Sequence, residues 1–204
     1  MTVKANFSLQ IDGIYRLKIP FDTVYTSVFL VEDEGKAVLL DCATTEEDVE
    51  KYILPALSVL GYRLTDLSAI VLTHKHRDHA GGLTHLLRHA PDLEVVTCVR
   101  RLTGALRTYP LAGHTRDTIG LFDERTHTLL SGDGLQGAGV DKYRCSLANE
   151  AAYRETLERI RKDSAIENIL FSHAYEPWLS DAIWGRDAVC ACLSDCEKYI
   201  GEKK

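Results

Sequence analysis

The sequence predicts an α+β fold, with two sheets packed together and helices outside. Three observations predict it. Strand-like runs dominate both halves of the chain and helical runs punctuate them. The 204 residues, 45% of them hydrophobic, suffice for a sizeable core. The polar clusters that burial does not explain each follow a short apolar run, where a strand end would hold them rigidly.

Residues 8–19, 24–32 and 36–41 read as strands, and Glu32-Asp33-Glu34-Gly35 as the turn of a hairpin between the last two. Thr44-Thr45-Glu46-Glu47 has the capping-box pattern. Behind it Val49, Tyr52, Ile53, Leu57 and Leu60 recur at helical spacing; Gly61 caps that helix and Pro55 kinks it. Leu67 to Leu72 is a strand-length apolar run. A helix begins near Gly81 and stops at Pro91, and Leu93 to Val99 is again a strand. Thr118–Phe122 and His127–Ser131 flank a turn at 123–126. Asn149 caps a helix carrying Tyr153, Leu157 and Ile160, the strand Ile166–Ser172 follows, and the last helix runs from Asp181 to Ile200. No repeat or linker interrupts residues 1–204, which are therefore expected to form a single domain.

The formal net charge of -6 speaks against nucleic acid and an anionic membrane as partners. The N-terminal stretch lacks the apolar core of a signal peptide and no run approaches a membrane span, so a cytoplasmic protein is expected. The six cysteines, Cys42, Cys98, Cys145, Cys190, Cys192 and Cys196, contain no C-x2-C pair, so a zinc ribbon is not indicated. Cys192 and Cys196, four apart on a helix, read as small buried thiols.

Residues 73–82 read THKHRDHAGG and concentrate three of the 8 histidines in six positions. His74 and His76, two apart in an extended segment, point the same way and can reach one ion. Asp78 and His79 lie beyond the bend and face a neighbouring position. Further along, PLAGHT puts His114 in a short loop, LLSGDG puts Asp133 past a hairpin strand, and ILFSHAY puts His173 at a strand end. Imidazole nitrogen and carboxylate oxygen suit zinc, and also iron or manganese. Five histidines and two aspartates can fill two sites with one carboxylate shared, and two ions roughly 3.5–4 Å apart can share a water and lower its pKa. Lys75 and Arg77 read as solvated, and His85, His89 and His127 as surface residues outside any motif.

With these residues in this order the chain resembles the metallo-β-lactamase superfamily, whose T-H-x-H-x-D-H-x-G-G motif stands here as Thr73 to Gly82. GHT at 113–115, SGD at 131–133, the histidine at 173 and the strand end LLDCATT at Asp41 follow the family's order, over roughly residues 8 to 178. The resemblance implies a four-layer αβ/βα sandwich with a glyoxalase II-like ligand set. By position, His74, His76 and His114 would hold one metal; Asp78, His79 and His173 would hold the other, with Asp133 bridging. Asp41 would orient a ligand imidazole through the nitrogen not on metal.

Three departures stand out. Arg116-Asp117-Thr118 replaces the small turn after GHT, His173 lies in SHAYEPW, and the interval from His79 to His114 is short. The last implies trimmed walls around the substrate groove and, with them, a homodimer sharing that groove through Ile183, Val189, Cys192 and Leu193. The implied activity is that of a metal-dependent hydrolase carrying two divalent ions, zinc foremost. A bridging hydroxide attacks an ester, thioester or lactone of a small molecule, and Asp78 and Asp133 take part in catalysis. The alternatives are a mononuclear iron sulfur dioxygenase and a small-nucleotide phosphodiesterase, for which Arg116, Lys142 and Arg144 would contact phosphate. Glyoxalase II itself has a further C-terminal helical region, which this chain is expected to lack. Tyr25, Tyr143, Arg144 and Tyr175 read as loop residues within reach of substrate, and Cys145 falls in the same stretch as two of them.

Overall fold

A computed structural model describes residues 6–135, 146–174 and 180–200. The chain divides into two compact units at residues 97 and 98. The fold class is α+β, as the sequence predicts.

The first unit is built on a six-stranded sheet of β1 (Ser8–Ile11), β2 (Ile14–Phe21), β3 (Val24–Asp33), β4 (Lys36–Leu40), β5 (Ala69–Val71) and β6 (Val95–Val96), in that spatial order. The first four are antiparallel and β4, β5 and β6 run parallel. The β3–β4 turn is the expected hairpin, with Glu34 and Gly35 both at positive φ and Asp33 paired with Lys36. The single strand expected at 8–19 is instead a hairpin. Asp12-Gly13 turns the chain, Gly13 adopts φ 71, and Ile11 pairs with Ile14.

The helical stretch after β4 begins with α1 (Glu46–Asp48), capped one residue later than the capping-box reading: Thr45 Oγ1 accepts from Asp48 N, and Asp48 Oδ2 accepts from Thr44 N. Where a kink is expected at Pro55, the structure has a wider turn. The proline offers no N–H to the preceding turn, so Val49–Ile53 opens into a π-helical turn before α2 (Leu54–Val59) resumes. Gly61 ends α2 in a Schellman arrangement, with Tyr62 N donating to Leu57 O and Gly61 N to Ser58 O. The helix expected from Gly81 is α4 (Leu83–His89), and a further short helix that the sequence reading did not call, α3 (Arg77–Ala80), precedes it. Leu17, Ile19, Val28, Leu30 and Leu39 of the sheet bury themselves against Val49, Ile53, Leu57 and Leu86.

The second unit is a five-stranded sheet in the order β11 (Ala182–Trp184), β10 (Asn168–Leu170), β9 (Thr128–Leu130), β8 (Ile119–Asp123), β7 (Leu106–Pro110). Here β9 and β10 run parallel and the other pairs antiparallel. Two of these strands differ from the sequence reading. β7 carries Arg107 among its apolar residues and lacks a clean run. β11 occupies what was read as the first turn of the last helix, because Gly185, at φ 90, breaks the chain before α6 (Arg186–Tyr199). Asn149 caps α5 (Glu150–Lys162) as predicted, its Oδ1 accepting from Ala152 N. Val189, Cys192, Leu193 and Cys196 of α6 are buried with Tyr153, Leu157 and Ile160 of α5. The thiols at 192 and 196 are thus core residues, and of the residues offered above for a dimer contact Val189, Cys192 and Leu193 are buried within their own unit while Ile183 of β11 is partly buried. Among the described residues no helix is long and apolar enough to cross a membrane.

Candidate metal centre

In the first unit the site starts from two parallel strands whose C-terminal ends lie side by side. Asp41 follows β4, and its N–H donates to Val71 O of β5 at 2.9 Å. Its carboxylate is fully buried and accepts from Thr73 N at 2.8 Å, from Thr73 Oγ1 at 2.9 Å and from His79 Nδ1 at 2.7 Å. A carboxylate only accepts, so the His79 proton sits on Nδ1 and Nε2 presents a lone pair. The Thr73 hydroxyl has one proton, which the charged carboxylate claims, so its oxygen accepts from His74 Nδ1 at 3.0 Å. One buried aspartate therefore sets two imidazoles, one directly and one through a threonine, to present Nε2.

His76 is the last extended residue before α3 and is exposed, with its ring 4.6 Å from that of His74. Asp78 and His79 follow inside α3, and Thr26 Oγ1 of β3 donates to Asp78 O at 3.1 Å. Lys75 and Arg77 are exposed as expected. The two glycines that close the motif have a packing reason. Both donate to Ala43 O, and a Cβ at Gly81 would meet Thr44 O, one at Gly82 the oxygen of Cys42. Gly82→Ala is expected to force the 41–44 loop off its seat and lower stability by roughly 1–3 kcal/mol. Chemical denaturation measures it, and a change within error would remove this account of the motif. Cys42 lies in that loop, its thiol donating to His79 O at 3.1 Å; burial, then the Asp41 charge, pushes its pKa far up, so it is no nucleophile.

The second unit repeats the device on its own parallel pair. Asp133 follows β9 in a 3-10 turn, Gly132–Gly134, and His173 follows β10, with Ser131 N donating to Leu170 O at 2.9 Å. His173 Nε2 lies 3.2 Å from Asp133 Oδ1, and His114 Nε2 lies 3.6 Å from Asp133 Oδ2. His114 Nδ1 donates to Ser146 O at 2.7 Å, which again fixes the tautomer. All three side chains are buried.

The donor chemistry fits a metal. His79 Nε2 faces Asp78 Oδ2 at 3.3 Å and His114 Nε2 faces Asp133 Oδ2, in each case a lone pair against a carboxylate. Either a second proton or a cation must lie between such groups. Zinc–ligand bonds of about 2.0–2.2 Å put the donors of a tetrahedral site about 3.3 Å apart, the separation seen here.

The first unit thus brings together His74, His76, Asp78 and His79, and the second His114, Asp133 and His173. Thr73 and the Ser146 carbonyl are partners that the sequence reading missed. A threonine next to a ligand is a faint signal, and a main-chain oxygen leaves none. Tyr25 lies in β3 rather than a loop, with the Lys18 ammonium 4.5 Å from its ring centroid. Lys142, Tyr143, Arg144, Cys145 and Tyr175 lie outside the described residues.

A sequence model of the metallo-β-lactamase superfamily matches residues 21–97. The chain is similar to a β-lactamase-like protein 2 homolog of Caenorhabditis elegans, 28% identical over 143 residues, covering 59% of this chain and 48% of the relative. It is also similar to a hydroxyacylglutathione hydrolase of Pectobacterium carotovorum, 30% identical over 156 residues, covering 65% of this chain and 59% of the relative. The chain thus spans roughly half the length of these curated relatives. Among solved structures, a metallo-β-lactamase from Erythrobacter litoralis superposes with a TM-score of 0.72 at 21% identity, covering 96% of this chain and 97% of that one.

Proposed function

We propose that the chain is a member of the metallo-β-lactamase superfamily and a metal-dependent hydrolase with a dinuclear centre. His74, His76 and His114 would hold one ion. Asp78, His79 and His173 would hold the other, with Asp133 as the shared ligand. The observation that carries this reading is the tautomer control: Nδ1 is tied down on His74 and His79 in the first unit and on His114 in the second, so their Nε2 lone pairs are presented, those of His79 and His114 beside carboxylates. Two divalent ions, zinc by the imidazole-rich donor set, would activate a water and polarise an acyl carbonyl.

The protein's own part is positional. Asp41 and the Ser146 carbonyl hold imidazoles in one orientation, and Asp133 offers one carboxylate oxygen toward His114 and the other toward His173. Asp78 presents Oδ2 3.3 Å from His79 Nε2, a separation suited to sharing one ion with it. The likeness to a hydroxyacylglutathione hydrolase favours a thioester of a small molecule over a lactone or other ester, since an acyl group on glutathione is carried by its thiol. The phosphodiesterase alternative has Arg116, which is exposed, as its one candidate contact among the described residues.

Elemental analysis of purified protein, paired with thioester, lactone and phosphodiester substrates, tests the proposal. Two zinc equivalents per chain and chelator-sensitive thioester hydrolysis are expected; less than one equivalent after supplementation overturns it. His173→Ala is expected to bring the metal content from two ions toward one, as read by the same analysis. An unchanged stoichiometry would assign the second ion to another ligand.

A further inference from the structure

Two histidines outside every motif lie one turn apart on α4. His85 and His89 share a helix face at i and i+4, and Glu50, from the π-helical turn Val49–Ile53, reaches across to both. His85 Nε2 lies 2.6 Å from Glu50 Oε1, His89 Nε2 lies 3.0 Å from the same oxygen, and the two Nε2 atoms are 3.3 Å apart. Three donor atoms of metal-ligating type thus converge on one point from two segments of the first unit.

We propose that Glu50, His85 and His89 form a further transition-metal site, of the zinc class, on the surface of the first unit. The separation of the two nitrogens is that of a tetrahedral edge for bonds of about 2.0–2.1 Å. The two shorter distances are those of hydrogen bonds made while each Nε2 carries a proton, which a metal would displace. Two imidazoles and a carboxylate suit zinc, copper or nickel and exclude magnesium and calcium as preferred ions.

The surroundings complete the pattern. His85 Nδ1 lies 3.6 Å from Glu46 Oε2, and Glu46 is held in turn by Arg88 at 2.9 Å. A carboxylate behind the non-ligating nitrogen is what orients a metal-bound imidazole and raises its basicity. Glu50 and His89 are half exposed, so an ion can enter from solvent and keep a water as its fourth ligand. An ion there would clamp α4 to the π-helical turn. Through Gly81 and Gly82, α4 continues from α3, which carries Asp78 and His79, so the clamp would also brace one wall of the half-site described above.

The test titrates zinc into protein already saturated at its tightest sites and compares wild type with His85→Gln/His89→Gln by calorimetry and elemental analysis. Wild type is expected to take up one equivalent more than the double variant, and to gain thermal stability from that equivalent. His89→Gln alone, at an exposed position where a folding defect is not expected, should lose the same equivalent. Glu46→Gln should weaken it roughly tenfold. Equal uptake by wild type and His89→Gln overturns the proposal. The readout is a difference between variants, so failure of the dinuclear centre would lower both totals and leave it intact.

Discussion

Asp133→Ala is expected to lower turnover by roughly a thousandfold while the chain stays folded. A carboxylate shared by two ions would hold both in place, and with them the water activation and the charge they would supply. Metal-based polarisation and water activation are together worth several kcal/mol, and each 1.4 kcal/mol or so is a factor of ten in rate. The side chain lies in a 3-10 turn past β9 and faces His114 and His173 rather than the apolar core. Truncation therefore removes chemistry with little loss of packing. The measurement is kcat with metal content on the same sample. A variant that keeps both ions and most of its rate would contradict the bridging role, whereas one that keeps its rate with one ion would point to a mononuclear mechanism.

The parts of the centre legible in the sequence were those carried by side chains at fixed spacing. THKHRDHAGG announces a strand end and a bend because His74 and His76 need extended backbone and Asp78 and His79 lie past the turn; the short helix α3 that carries the latter two was not read. What could not be read was the scaffold's common logic: both half-sites stand beyond the C-terminal ends of a parallel strand pair, β4 with β5 and β9 with β10. Parallel pairing joins segments distant in sequence, so no local pattern carries it. The fold-level misreadings have other origins. Asp12-Gly13 was a turn signal inside an apolar run, and there the β-rich flanks masked it. β7 and β11 are short strands whose pairing partners, not their own residues, make them strands. The Glu50–His85–His89 cluster was invisible for a similar reason, since only the fold brings the π-helical turn beside α4.

The second large effect falls on a residue that would touch no metal. Asp41 is fully buried and takes three hydrogen bonds: one from Thr73 N, one from the Thr73 hydroxyl and one from His79 Nδ1. Asp41→Asn keeps the shape and replaces one acceptor oxygen with a donor. If the amide nitrogen faces His79, two N–H groups collide, and the imidazole must move its proton to Nε2 and lose the lone pair meant for metal. If it faces Thr73, a buried backbone N–H is stranded instead, at about 1–3 kcal/mol. Both arrangements are expected to weaken metal binding by roughly 10- to 100-fold, with a loss of stability in the second. Asp41→Ala leaves a polar hollow in which a water can accept the Nδ1 proton, so it should retain metal better than the near-isosteric asparagine. Competition against a chelator of known affinity ranks the three proteins. If asparagine binds metal as tightly as aspartate, tautomer control is not what Asp41 supplies; if alanine falls below asparagine, its role is to fill space.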